Sequence, residues 1–360
     1  MTYIIFFIYL IFCAFVSVKT KSDHFFLFTI MALLLVIIGF RDTSVGADTL
    51  GYTQNFYEYS QLQFAQMWRT AIASKEPLYV VISWLASLLS YNYTAYLLVW
   101  AIFPVLSLYK TFRMELSGGV DYMIAILVFF MLGLFAFFVA GIRQTAAMSL
   151  TLASARYLMR INNQNFKTFI KDRNLYIFLL YVGIACLIHN SALVFLLVIP
   201  CLFIKVRWWY LFLSIGLFFL GKFVQIDLIV ELSGLLFEDR FAAYGATATE
   251  TLSISGFIMQ FLLFFICFIV KDKLSLYSRN NDFLLMLLFV GLLFQSLSII
   301  QAEMARVSYY FSMFAMILVP RSIKMYGYPW RGVLYWGFVI VSLFYLFFLS
   351  SSNLPAYRFV

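Results

Sequence analysis

Charge is what this chain has least of. Of its 360 residues only 11% are Asp, Glu, Lys or Arg, against 64% hydrophobic and 21% aromatic. A soluble domain carries roughly a quarter charged residues, so a water-facing globule is excluded, and no polar segment is long enough to fold separately. Histidine and cysteine are scarce too: there are two histidines, and Cys13, Cys186, Cys201 and Cys267 all lie in apolar stretches without CxxC spacing. That argues against a disulfide framework or a dedicated transition-metal site, and leaves the cysteines as small apolar packing residues. Walker and dinucleotide motifs, HExxH, internal repeats and Gly/Ser linkers are missing as well. No cofactor and no metal are expected.

What is present is a succession of apolar runs, each near the ~20 residues that cross a bilayer. Lipid offers no partner to a bare N–H or C=O, so each run is expected to be a helix. The fold class that follows is all-α: one polytopic helical bundle occupying residues 1–360 as a single domain. Spans are expected near 3–18, 25–40, 78–91, 93–111, 121–139, 143–159, 174–188, 190–204, 208–224, 255–270, 283–300, 307–320 and 332–350, or about 11–13 transmembrane helices. The first run has no basic n-region and no A-x-A-like site, so it reads as a retained span rather than a signal peptide. The net charge of +9 does not point to nucleic acid, because Lys and Arg cluster in short loops. That is the positive-inside pattern, and it places 160–174, 204–209, 271–279 and 321–331 in the cytoplasm. Gly141, His189, the 225–254 loop and 301–306 then face outward. Lys19 and Lys21 set the first half, where parity calls either for one tilted or re-entrant segment within 78–139, the favoured reading, or for a reversed N-terminal sign. Two external polar stretches, 41–77 and 225–254, are mixed enough in character to hold interfacial helices.

Ionisable residues at span ends are the informative ones in such a protein. "GFRDTSVGADTLGY", at 39–52, brings Arg41 and Asp48 together with Gly46 and Gly51, which permit close backbone approach or positive φ. Local turns made by Asp42, Ser44 and Asp48 are the bland alternative. Arg143 and Gln144 head a span followed by small residues, and the alternative there is a snorkelling arginine. His189 stands between two spans, either as a titratable group or as a structural cap. Glu238, Asp239, Arg240 and Tyr244 form a cluster that a solvated ion network would also explain; Glu303 and Arg306 share one helix face, where mutual pairing is the bland alternative to a purpose that offsets burying them among apolar residues. Arg156 and Arg160, on the basic side, are topological. By this topology Arg41, Arg143, Arg240, Arg306 and His189 open onto one external face. Converging guanidinium forks suit a phosphate-rich ligand, and a lipid diphosphate is the obvious one.

The series "GFRDTSVGADTLGYTQNF", "KEPLYVVISWL", "FFVAGIRQTAAMSLTLASARYL", "HNSALVF" and "ARVSYYF", in that order, resembles the EpsG-like, Wzy-type family of bacterial polysaccharide polymerases. The matching positions are Arg41, Gly46, Asp48, Thr49 and Tyr52; Glu76 and Pro77; Arg143, Gln144 and Ala147; and His189 and Ser191. The C-terminal third matches only through Arg306, Tyr310 and Phe311. The resemblance implies a GT-C-like arrangement of helices and a glycosyltransferase in the plasma (inner) membrane, acting on its periplasmic or external side. Such an enzyme moves a growing glycan from undecaprenyl diphosphate onto the next lipid-linked oligosaccharide repeat of an O-antigen, capsule or exopolysaccharide. Expected catalytic residues are Asp48, His189 and Arg143, with Asp48 or His189 as the base. Expected substrate contacts are Arg41, Thr49, Tyr52, Gln144, Arg240, Tyr244, Glu303 and Arg306. Partners implied are the lipid-linked oligosaccharides, membrane lipids, and a chain-length regulator and flippase of the same pathway. The first rival is a flippase or secondary transporter, but the unusual charges sit at span ends rather than at a midplane, and no repeat is present. A membrane O-acyltransferase would use His189, without further signature in the sequence.

Overall fold

The computed structural model describes residues 2–161, 166–223 and 250–359. The chain is all-α and polytopic, with no strand among the described residues. It divides into two compact units, Met1–Leu196 with Gly332–Val360, and Leu197–Arg331.

The first unit carries α1 (Thr2–Thr20), α2 (Asp23–Gly39), α3 (Thr49–Ser60), α4 (Phe64–Ala73), α5 (Pro77–Leu89) and α6 (Tyr93–Glu115). After these come α7 (Gly119–Met131), α8 (Leu134–Ala140), α9 (Ile142–Met159), α10 (Phe166–Phe169) and α11 (Arg173–Ile188). Local chemistry sets several starts. Asn92 caps α6 by accepting from Thr94 N at 2.8 Å, and Asp172 caps α11 by accepting from Asn174 N at 2.8 Å. Pro77 opens α5, where its missing N–H is no loss. The core is aromatic around α7: Phe130 stacks on Phe135 at 4.6 Å and meets Phe7 of α1 at 5.0 Å. Helix α9 buries Ala146, Ala147, Ser149, Ser154 and Ala155. These small residues let α6 and α11 close in on either side of it, and Ser107 of α6 donates to Ser149 O at 2.7 Å.

Contacts within this unit define two ends. At one, Gly119 N donates to the Asp23 carboxylate at 2.8 Å, a Cβ on Gly119 would collide with Ser17, and Arg156 reaches Met114. At the other, Arg41 pairs with Phe359, Tyr93 donates to Thr49 O at 3.2 Å, and Gly46 abuts Val139. Helix α5 begins and ends at this second end. Tyr79 near its start packs on Tyr52 and Tyr59 of α3 (6.2 and 6.0 Å), and Tyr91 just past its end packs on Tyr57 of that helix at 5.3 Å. Thirteen residues reach about 20 Å, short of the ~30 Å hydrocarbon thickness. So α5 runs beside α3 and returns the chain to the end it left, while α7 and α8 are bent by 63° at the break between them.

Among the described residues four helices are long and apolar enough to cross a membrane: Thr2–Thr20, Tyr93–Glu115, Asn280–Leu297 and Trp330–Leu349. Counting each bent pair as one span raises this to six, and five shorter apolar helices add to the framework. The expected count of 11–13 also takes in shorter apolar runs, among them α2, α5, α11 and α13.

The second unit contains α12 (Val198–Cys201), α13 (Trp209–Phe223), α14 (Glu250–Ile269), α15 (Lys271–Tyr277), α16 (Asn280–Leu297), α17 (Glu303–Ser312) and α18 (Ala315–Lys324). Its interior holds a polar node in which Gln260 donates to Gln295 at 3.1 Å and to Ser308 at 3.0 Å. The final helix, α19 (Trp330–Phe344), leads into the C-terminal tail of the first unit.

Candidate functional site

Three segments of the first unit meet on one carboxylate. Glu76 stands immediately before α5, with its N–H donated to Ser74 Oγ at 3.0 Å and its side chain only 12% exposed. Arg143, in the first turn of α9, donates Nη1 to Glu76 Oε2 at 2.5 Å. His189, at the C-terminal end of α11, binds the other carboxylate oxygen, Oε1, through Nδ1. Asn190, with its amide nitrogen turned inward, reaches the carbonyls of Lys75 (3.0 Å) and Cys186 (3.3 Å), so the His189 and Glu76 turns are also tied side by side.

Electrostatics fix the proton positions. Burial pushes the Glu76 carboxyl up, but the hydrogen bond and charge of His189 and then the Arg143 charge outweigh it and hold it below the ordinary glutamate value. An ionised carboxylate only accepts, so Nδ1 of His189 carries the hydrogen, and Nε2 is the ring nitrogen that Glu76 does not engage. Side-chain exposures of 24% for His189 and 36% for Arg143 leave both within reach of a ligand. Arg143 also lies over the rings of Tyr52 and Tyr79, at 5.6 and 5.1 Å, contacts worth about 0.5–2 kcal/mol each. Its Nε is buried without a hydrogen-bond partner. Tyr79 is held in turn by Tyr96 (3.2 Å) and Asn55 (3.4 Å). The arrangement is an imidazole oriented by a carboxylate, beside an arginine with hydrogen-bonding capacity left over.

The other expected residues fall into place around this cluster or away from it. Tyr52 lies beneath Arg143 and is buried, which pushes its phenol up despite the arginine. Asp48 is exposed at the start of α3 and makes no capping bond with its side chain. Thr49 is buried and donates to Val45 O at 2.7 Å, and Gln144 is buried in the first turn of α9. Arg41 is 0% exposed, with its guanidinium inside the protein. Glu303 and Arg306 pair at 3.6 Å within the second unit. Arg240 and Tyr244 lie outside the described residues, as do Leu228, Leu235 and Phe237, the anchors expected for the 225–254 loop. Glu76 had no assigned role in the sequence reading; its signal was a lone acid before a proline and an apolar run. Among the described residues no group of three or more His, Cys, Asp or Glu is arranged to hold a metal ion.

Fold and site together define a polytopic helical membrane protein with a charged, partly open cluster at one end of its first unit. The chain matches the EpsG family over residues 24–360 and belongs to it. That is a Wzy-like family of polysaccharide polymerases, which gives the protein a polysaccharide polymerase-type function. No curated protein and no solved structure matches the chain.

Proposed function

We propose that the protein is a glycosyltransferase that polymerises lipid-linked oligosaccharide repeats, moving the growing glycan from undecaprenyl diphosphate to the next lipid-linked unit. The observation that carries this reading is the Glu76 carboxylate shared by Arg143 and His189. In the reaction, an acceptor hydroxyl attacks the anomeric carbon of the donor, and its proton passes to His189 Nε2. The anomeric C–O bond to the diphosphate breaks, and the diphosphate leaves with the electron pair. Glu76 keeps the imidazole in the productive tautomer and stabilises the imidazolium that forms. The exposed part of the Arg143 guanidinium meets the charge growing on the leaving diphosphate, the work a metal performs elsewhere. Asp48, exposed one turn before Tyr52, is placed to contact the acceptor sugar.

The two ends of the first unit support an external side of action. Lys19, Lys21, Arg156 and Arg160 are at the end opposite the cluster, and the positive-inside rule makes that end cytoplasmic. The cluster then faces the exterior or periplasm of a bacterial plasma membrane, where lipid-linked repeats are exposed.

Deleting the gene and resolving the surface polysaccharide on a gel tests the reading. A polymerase null leaves single repeat units attached to their acceptor, whereas loss of a flippase leaves none. Asp48→Asn then separates the two candidate bases: with His189 as base, the variant still makes polymer.

A further inference from the structure

The cluster depends on the path of the chain from α2 into α3, and that path is finished by the far end of the sequence. A helix leaves its last carbonyls without intrahelical partners, and in an apolar setting each needs one. In α2, Val36 O is taken by Phe40 N at 2.9 Å and Ile38 O accepts from Arg41 Nη1. Ile37 O accepts from the hydroxyl of Tyr357. The chain then leaves beside the tail: Asp42 N donates to Arg358 O at 2.9 Å, and Arg41 stands opposite Phe359. The tail is itself anchored elsewhere. Pro355 O accepts from Tyr3 of α1 at 2.7 Å, Asn353 donates to Met131 O at 3.0 Å, and the Tyr357 ring meets Tyr3 edge-on at 6.3 Å.

On its other flank the 40–48 loop meets the end of α8. Gly46 has φ +100°, and a Cβ there would sit 2.8 Å from Val139 O, so the loop touches the strand of chain that leads into Arg143. The Arg41 guanidinium inside this junction has no carboxylate. Its Nε and Nη2 are buried without hydrogen-bond partners. Position here is set by packing and main-chain bonds, not by ion pairing.

We propose that Pro355–Phe359 is a positioning element for the reaction. It completes α2 and clamps the 40–48 loop, and so sets Asp48 and, through α3, the Tyr52 ring beneath Arg143. The consequence for catalysis rests on the polymerase reading; the clamp itself does not. The test compares purified full-length protein, a chain ending after Leu354, and Tyr357→Phe by amide hydrogen exchange and by polymer formed per protein. Exchange within residues 40–52 is expected to rise about tenfold or more without the tail. In Tyr357→Phe it is expected to rise roughly three- to tenfold, the factor one lost hydrogen bond allows. Amides of α9 and α11 keep wild-type exchange, and polymer yield falls in step with the loop. Unchanged exchange at 40–52 in the folded tail-less protein overturns the proposal, and so does a rise spread evenly over α9 and α11. If the shortened chain does not fold, Tyr357→Phe decides alone, and wild-type exchange there overturns it. Failure of the wild type to make polymer would instead count against the polymerase reading and leave the exchange result standing.

Discussion

Two glutamate–arginine pairs, one in each unit, look alike on paper and differ in every physical respect. Glu303 and Arg306 are three residues apart on one helix, 3.6 Å from each other, with the arginine 46% exposed. Glu76 and Arg143 are 67 residues apart, 2.5 Å from each other, and the glutamate is 12% exposed and shared with a histidine. A pair made by adjacent turns of one helix follows from helix geometry and is worth little. A pair that joins separate helices, keeps a carboxylate charged despite burial and orients an imidazole is a constellation with chemistry in it. The difference teaches that sequence separation and sharing, not the presence of opposite charges, mark the site.

Breaking the comparison at its strongest point gives the largest effect. His189→Gln removes the base while keeping a hydrogen-bond donor to Glu76, and polymerisation assayed in isolated membranes should fall by about 10²–10⁴-fold. Arg143→Lys keeps the charge but loses the fork and the ring contacts with Tyr52 and Tyr79. A loss of about 10²-fold in kcat with normal protein levels is expected from the same assay.

The pH dependence of stability sharpens the contrast more gently. The folded-state pKa of Glu76 is lowered, so its stabilising contribution is complete above the ordinary glutamate value of 4.5 and is lost as pH falls through the folded value. Thermal unfolding in detergent should therefore show wild type losing its margin over Glu76→Gln only on acidification below that range. The smallest effect belongs to the second unit. Arg306→Ala should change stability by no more than about 1 kcal/mol, read from the unfolding midpoint. A large loss of polymer at that preserved stability would place Arg306 on the substrate.

Sequence alone made part of this legible. Arg143 and His189 stand out as ionisable residues at the ends of apolar runs, and Gly46 as a glycine that a tight loop requires. The all-α, polytopic class follows from composition. Glu76 as the hub does not, because its partners lie 67 and 113 residues away and no local periodicity encodes that meeting. The surroundings of the 78–91 run are hidden for a related reason. Its Tyr79 and Tyr91 pack on α3, which only the folded chain reveals. Arg41 reads as exposed at a span end, and the structure buries it beside the C-terminal tail, whose Tyr357 bonds to Ile37 across 320 residues of sequence.

The central claim is that the carboxylate shared by Arg143 and His189 is the heart of a polymerase site. The most direct measurement is the length distribution of glycan made by Glu76→Gln protein, purified at wild-type unfolding midpoint and supplied with lipid-linked repeats. Gln keeps the size of the side chain and removes the charge that fixes the His189 tautomer. The account predicts single, unpolymerised repeat units from this variant, and a full wild-type ladder would contradict it.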